Sequence, residues 1–312
     1  MTIFRDGVSG LARDDRPVIA TVGTFDGVHR GHWSVLEEIG TRAEARGGRS
    51  VLVTFEPHPL KIVRPEAAPK MLTNTEEKKA VLADSRLDYV AFLAFTPELR
   101  EYSPRRFVTE ILVGGLGMSE LVIGYDHGFG RGRSGDAGTL RAIGAELGFA
   151  VDVVEAVHAG STAVSSSSIR RALTEGRLAD ANRDLGRPYS LTGTVIRGDG
   201  RGRELGFPTA NLRVHGTDKL IPAEGIYACY ATVPAGRFMG ALHIGVRPTF
   251  PGTGAAVEVF LLDFGGELYG REIRLELIER LRPVAAFDSP AELVAQMRAD
   301  ILRAREVLSA AG

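Results

Sequence analysis

Apolar residues recur in two rhythms along this chain. From residue 18 to about 155, short apolar runs alternate with amphipathic stretches. Val18–Val22, Ser50–Phe55, Tyr89–Phe95, Leu121–Ile123 and Phe149–Val154 read as buried strands. Between them, Trp33 to Arg46 carries Val35, Leu36, Ile39 and Ala43 on one helical face. Thr75 to Leu87 reads as a helix with Thr75 as its N-cap, Ser103-Pro104 opens another, and Asp136 to Leu147 forms a third. Strands alternating with helices predict a parallel α/β sheet covered on both faces. Ligands bind such sheets beyond the carboxyl ends of the strands.

The rhythm changes at Leu185-Gly186-Arg187-Pro188, which sets the expected domains at residues 1–185 and 186–312. Apolar and polar positions then alternate, as in Ile273, Leu275 and Leu277 against Arg274 and Glu276. Runs at 190–197, 225–233, 238–245, 256–264 and 272–281 read as antiparallel strands of a compact barrel. A final helix follows a capping box, Ser289-Pro290-Ala291-Glu292. Its stripe of Val294, Met297, Ile301, Ala304 and Leu308 is packing surface.

Composition narrows the picture a little. The 312 residues suffice for two domains, and the net charge of −1 gives no overall pull towards nucleic acid or an anionic membrane. The chain has no apolar run long enough to span a bilayer and no basic-then-apolar start, so a cytoplasmic protein is expected. A single cysteine, Cys229, rules out an internal disulfide and a multi-cysteine zinc site, and it sits in a strand-like run as a small buried residue.

The candidate chemistry falls at the element boundaries. Gly23-Thr24-Phe25-Asp26-Gly27-Val28-His29-Arg30-Gly31-His32 joins the first strand to the first long helix. A helix N-terminus offers free N–H groups and partial positive charge. Gly27 and Gly31 allow close backbone approach, and His29 and His32 can donate hydrogen bonds to charge developing on an α-phosphate. This pattern points to nucleotidyl transfer; surface histidines or metal ligands are the competing readings. Two further loops belong at the same edge. Gly124 to Asp136 is glycine-rich with Arg131 and Arg133, and suits either a nucleotide cover or a plain surface loop. Ser165 to Leu173 reads as a serine-capped helix start, where hydroxyls and Arg170 suit phosphate oxygens, with a linker as the alternative. His58, alone between prolines, reads as structural or substrate-adjacent.

In the second half, Gly198-Asp199-Gly200-Arg201-Gly202-Arg203-Glu204-Leu205-Gly206 can wrap a polyphosphate with backbone N–H groups and guanidinium forks, with a basic, solvated hairpin loop as the alternative. The Pro208-Thr209-Ala210-Asn211 that follows offers neutral oxygens, Thr209 and Asn211, suited to Mg²⁺ also held by a nucleotide. Glu258, on the face of its strand opposite Val257 and Val259, is the general-base candidate for a hydroxyl attacking phosphorus, with a plain exposed strand carboxylate as the alternative.

In their order and spacing, Gly23–His32, Thr54–Pro59, Gly124–Asp136, Ser165–Leu173, Gly193–Asn211, Ile244–Phe250, Glu258–Phe264 and Leu281–Gln296 resemble the prokaryotic bifunctional riboflavin kinase/FAD synthetases. The resemblance implies a Rossmann-like nucleotidyltransferase domain followed by a six-stranded riboflavin kinase barrel with a terminal helix. It implies phosphorylation of riboflavin by ATP to FMN in the second domain, and adenylylation of FMN by ATP to FAD and pyrophosphate in the first. It assigns His29, His32 and Glu258 to catalysis, and Thr209 and Asn211 to Mg²⁺. It assigns substrate binding to Gly23, Phe25, Asp26, Gly31, Asp126, Ser166, Ser167, Arg170, Gly198, Arg203, Gly206, Thr209, Asn211 and Arg247. Small molecules are then the only partners, with no nucleic acid and no membrane, and the chain is a monomer or weak homo-oligomer. Five positions depart from the family pattern: Thr24 (commonly Asn or Ser), Tyr125, His127, His243 (usually Asn) and Phe260 (often His). A single active module, or a sensor retaining both folds, are the rival readings. The presence of His29, His32 and Glu258 disfavours the sensor.

Overall fold

A computed structural model describes residues 2–8, 11, 14–125, 128, 130, 134–159, 162–198, 202, 205–246 and 255–311. The chain divides into two compact units, Met1–Ser165 and Ser166–Gly312.

The first unit holds six parallel strands: β1 (Ile3–Asp6), β2 (Val18–Val22), β3 (Arg49–Glu56), β4 (Tyr89–Ala94), β5 (Met118–Gly124) and β6 (Ala150–Val154). Their order is β1-β4-β3-β2-β5-β6. Every residue of β2 is buried, as a central strand with helices on both faces requires. From β2 the chain moves outward through β3 and β4, then returns to place β5 on the other side of β2. The end of β2 is therefore the point where the winding reverses, the place where sheets of this kind bind their ligands. Helix α1 (Arg30–Ala45) packs Val35, Leu36, Ile39 and Ala43 against one face with Ile19, Leu52, Val90 and Val122. The other face carries Val51, Val53, Leu121 and Ile123 against Phe107, Leu112 and Leu140.

Two local expectations change. β1 pairs Ile3–Asp6 with Tyr89–Phe92 at the sheet edge; it is four residues long with two exposed, too short for a periodic signal. Helix α2 (Thr75–Leu82) is capped by Asn74, not Thr75: the Asn74 side chain accepts from the Glu77 amide at 2.9 Å and the Glu77 carboxylate accepts from the Asn74 amide at 3.1 Å. Helix α3 (Ala137–Leu147) is capped by Asp136, whose carboxyl is held below its ordinary range by the Thr139 amide.

The second unit opens with helices α4 (Ser166–Thr174) and α5 (Leu178–Leu185). After it comes a closed antiparallel barrel whose strands, taken in space, run β10-β13-β12-β11-β14-β9. Here β7 (His158–Ala159) and β8 (Thr162–Ala163) are a short ladder of the first unit. The barrel strands are β9 (Tyr189–Ile196), β10 (Ala210–Val214), β11 (Gly225–Val233), β12 (Gly236–Val246), β13 (Ala255–Leu261) and β14 (Glu272–Arg282). Sequence alternation becomes barrel geometry directly: Tyr189, Leu191, Val195, Ile273, Leu275 and Leu277 fill the interior. Strand β10 begins at the end of the Gly198–Asn211 stretch and is absent from the strands expected from sequence. With only five residues, an Asn and an Arg among them, it carries a weak strand signal. Cys229 is fully buried in β11, and burial pushes its thiol up to about 12.

Helix α6 (Pro290–Ala311) packs Ala304 and Leu308 on Ala228 and Tyr230. The Tyr230 hydroxyl donates to the Leu308 carbonyl at 2.6 Å, and Arg282 grips Asp300 at 2.7 and 2.8 Å. The Ser289 hydroxyl accepts from the Glu292 amide as expected, but the Glu292 carboxylate accepts from the Asp288 amide and not from Ser289, which shifts half of the capping box by one residue.

Candidate functional sites

The first site is the turn between β2 and α1. Phe25 (φ 47°), Gly27 (φ 79°) and Val28 (φ 40°) all adopt left-handed backbone, which is unfavourable for the two that carry a Cβ. Such strain persists where the surroundings over-determine it. Phe25 and Val28 are buried, the Gly23 amide donates to the Val53 carbonyl at 3.0 Å, and the Val28 amide donates to the Phe25 carbonyl at 3.2 Å. Asp26 is fully buried. Its carboxylate accepts from the Leu72 and Thr73 amides at 3.0 and 3.1 Å, and the Gly27 amide donates to the Thr73 hydroxyl at 3.2 Å. The Thr24 carbonyl accepts from both the Thr54 hydroxyl, 3.0 Å, and the Lys78 ammonium, 2.9 Å.

His29 and His32 cap α1 reciprocally. The His32 amide donates to His29 Nδ1 at 3.4 Å and the His29 amide donates to His32 Nδ1 at 3.3 Å. Both Nδ1 atoms are thus acceptors, which assigns the proton of each neutral ring to Nε2. The rings stack with centroids 3.6 Å apart, and Phe25 lies 4.5 Å from the His32 ring. Gly31 keeps this arrangement open, since a Cβ there would meet the His29 ring at 3.3 Å. A Cβ at Gly23 would meet the Phe25 ring at 3.0 Å. Among the described residues, the amides of Arg30 and Gly31 at the head of α1 find no acceptor. The turn thus holds two N–H groups without an acceptor and two imidazole Nε2 donors, a donor set whose chemistry suits a phosphate. Elsewhere in this unit, His58 Nδ1 accepts from the Leu60 amide at 3.2 Å.

The second site lies on the barrel. Asn211 on β10 is directly opposite Glu258 on β13, and Glu258 is directly opposite His243 on β12. Direct cross-strand partners share a face. Their neighbours Leu212, Val257, Val259, Leu242 and Ile244 are buried in the interior, so Asn211, Glu258 and His243 form an outward row, each half-buried. The Thr209 hydroxyl lies 3.5 Å from the Glu258 carboxylate. Glycines admit these side chains: a Cβ on Gly198 would meet Asn211 Nδ2 at 2.2 Å, and one on Gly202 would meet Thr209 Oγ1 at 3.1 Å. Gly206 takes φ 85° before Phe207, whose amide donates to the Gly202 carbonyl at 2.7 Å. Phe207 meets Phe260 edge-on at 5.8 Å. Beside Thr209, a cleft of about 280 Å³ runs between Val259, Leu261, Phe264 and Tyr269.

The structure thus brings Gly23, Phe25, Asp26, His29, Gly31 and His32 into one turn, and Gly198, Gly206, Thr209, Asn211 and Glu258 around one barrel face. Ser166, Ser167 and Arg170 fall on the first turns of α4. Asp126, His127, Arg203 and Arg247 lie outside the described residues. Sequence reasoning missed Lys78, which is buried beneath the first turn. Its signal was a lysine one helical turn before the buried Leu82, on the apolar face of α2.

No group of three or more His, Cys, Asp or Glu side chains among the described residues is arranged to hold a metal, and none of the helices they form is long and apolar enough to cross a membrane. The family model for FAD synthetase matches residues 11–168, and that for riboflavin kinase matches residues 185–308. A bifunctional riboflavin kinase/FMN adenylyltransferase of Pseudomonas fluorescens is 38% identical over 300 residues, covering 96% of each chain. One from Listeria monocytogenes is 39% identical over 286 residues, covering 90% of each. A Streptococcus pneumoniae crystal structure titled a macrolide-efflux protein superposes with a TM-score of 0.87 at 26% identity, covering 97% of this chain and 98% of that one.

Proposed function

The chain belongs to the bifunctional riboflavin kinase/FMN adenylyltransferase family, and from that membership we propose how its two sites divide the work. The enzyme phosphorylates riboflavin with ATP to give FMN, and adenylylates FMN with ATP to give FAD and pyrophosphate. Residues 1–185 carry the second reaction and residues 186–312 the first.

In the kinase reaction a riboflavin hydroxyl oxygen attacks the γ-phosphorus of ATP, the bond to the bridging oxygen breaks and ADP leaves. The hydroxyl proton passes to Glu258, the carboxylate of the outward row. Thr209 and Asn211, with Gly198, Arg203, Gly206 and Arg247, hold the nucleotide and flavin. The neutral oxygens of the Thr209 hydroxyl and the Asn211 amide suit Mg²⁺, which prefers a few protein oxygens and the substrate's phosphates to a full protein cage. When bound there, Mg²⁺ would neutralise phosphate charge.

In the adenylyl transfer a phosphate oxygen of FMN attacks the α-phosphorus of ATP and pyrophosphate leaves. The Nε2–H groups of His29 and His32, with the Arg30 and Gly31 amides, stabilise the charge that develops. Gly23, Phe25, Asp26 and Gly31 shape the turn, while Asp126, Ser166, Ser167 and Arg170 bind phosphates or flavin. Both reactions are read as cytoplasmic, by a monomer or weak homo-oligomer whose partners are these small molecules.

The observation that supports this reading is the Asn211–Glu258 pairing with Thr209 alongside, a carboxylate next to a neutral hydroxyl and an amide. A chromatographic time course with riboflavin, ATP and Mg²⁺ tests it. FMN should rise first and then give way to FAD. FMN that never proceeds to FAD would remove the adenylyl transfer, and FAD formed only from added FMN would remove the kinase.

A further inference from the structure

The first turn is held from below by a short stretch of chain, residues 72–78. The Leu72 and Thr73 amides grip the Asp26 carboxylate, the Thr73 hydroxyl takes the Gly27 amide, and the Lys78 ammonium donates to the Thr24 carbonyl at 2.9 Å. This grip has an electrostatic cost. Asp26 is fully buried, so its carboxylate sets a poorly screened negative charge directly under a turn that must receive a polyphosphate. Lys78 is 2% exposed and supplies the opposite charge from the same side of the turn.

We propose that Lys78 is a positioning residue of the adenylyl-transfer site, fixing the Thr24 carbonyl and offsetting the Asp26 carboxylate so that the turn meets ATP without a net negative charge beneath it. The proposal rests on the assignment of adenylyl transfer to this unit. Groups of both signs face the ammonium. Burial pulls the Lys78 amine below the usual lysine range, Asp26 and then Glu56 act to keep it protonated, and Lys61 opposes them. Asn74 and Glu77 lock the start of α2, so Lys78 projects from a fixed helix. The Thr54 hydroxyl provides an internal comparison, because it donates to the same carbonyl at 3.0 Å without carrying charge.

The test is steady-state kinetics of FAD formation from FMN and ATP by the full-length enzyme, with riboflavin phosphorylation by the same preparation as a control for the intact chain. Lys78→Met should raise the KM for ATP by about 30-fold, because it removes the buried positive charge that offsets the Asp26 carboxylate. Thr54→Val, which removes a neutral donor, should raise it by roughly threefold. Lys78→Met combined with Asp26→Asn should bring the KM back to within about fivefold of wild type, a rescue that only charge compensation predicts. A Lys78→Met enzyme with an unchanged KM for ATP would overturn the proposal, as would a double variant no better than the single one. Should Lys78→Met unfold its unit, seen as a lost melting transition, Lys78→Arg and the double variant carry the test. Both should bind ATP nearly as wild type does, and an Arg variant as impaired as the Met variant would also overturn the idea. Wild-type enzyme that forms no FAD would instead sink the functional assignment on which the proposal stands.

Discussion

In the proposed division of work the two sites handle phosphate with opposite chemistry. On the barrel, a carboxylate stands at the centre: Glu258 is half-buried, flanked across the strands by Asn211 and His243, and 3.5 Å from the Thr209 hydroxyl. In the first turn, the one carboxylate of the Gly23–His32 stretch is Asp26, and it faces inward, held by backbone amides. The other polar groups of that turn are donors, the histidine Nε2–H groups and the Arg30 and Gly31 amides. The difference follows from the nucleophiles. A riboflavin hydroxyl must lose its proton as it attacks, so its site needs a base. The FMN phosphate, with a second pKa of about 6, is already an anion, so its site needs only positive potential and geometry.

Removing each decisive group should therefore silence one reaction and spare the other. The largest effect is expected from Glu258→Ala, which should lower FMN formation about 1,000-fold, within the range of a lost general base, while added FMN is still converted to FAD. Chromatographic rates for each flavin measured separately check this. Equal loss of both reactions would mean that the comparison fails and the sites are coupled.

His29→Ala should lower FAD formation about 100-fold and let FMN accumulate. It also removes the α1 cap, worth roughly 1 kcal/mol, so the alanine variant alone confounds stability with chemistry. His29→Asn sharpens the test, because Asn is a strong N-cap without an Nε2 donor. The structure predicts that the Asn variant melts near wild type yet remains as slow as the Ala variant. Normal FAD output from either would remove His29 from the mechanism.

How much of this was legible beforehand differs by site, and for a physical reason. The first turn is contiguous in sequence, so the strand before it, the helix after it and its two histidines were visible together. Its underside was not: Asp26 meets Leu72 and Thr73, and Lys78 meets Thr24, across more than 40 residues of chain. Nothing in the sequence turns Asp26 inward. On the barrel, Thr209, Asn211 and Glu258 were each legible as residue types, but their meeting depends on register. A slip of one residue would send Glu258 to the interior. β10 was too short to announce itself, so the Asn211–Glu258 pairing could not be read until the strand was seen. His243, noted only as a departure from the family pattern, turns out to occupy the third place in that row.

Smaller effects should separate the barrel site's backbone support from its chemistry. Gly198→Ala places a Cβ 2.2 Å from Asn211 Nδ2 and must displace that side chain. Kinase activity should fall roughly tenfold, a cost typical of small misplacements near reacting groups, while adenylyl transfer stays unchanged. If kinase activity survives intact, Asn211 is not part of the working site.

The mildest test concerns Phe260, the position where relatives often carry His. It lies two residues beyond Glu258 on the same strand face, and its ring meets Phe207 edge-on at 5.8 Å. Phe207 in turn is fixed to Gly202 through its amide, so the aromatic pair ties the barrel wall to the glycine-rich loop that ends in Thr209. An aromatic pair of this kind contributes about 1 kcal/mol beyond the area it buries. Phe260→Ala should therefore raise the kinase KM for ATP roughly fivefold with little change in kcat, since the loop is loosened but Glu258 stays in place. Phe260→His retains an edge for Phe207 and should fall between the two. A drop in kcat with KM unchanged would show that Phe260 acts on the reacting groups themselves, and the division between a holding loop and a reacting carboxylate would then have to be redrawn.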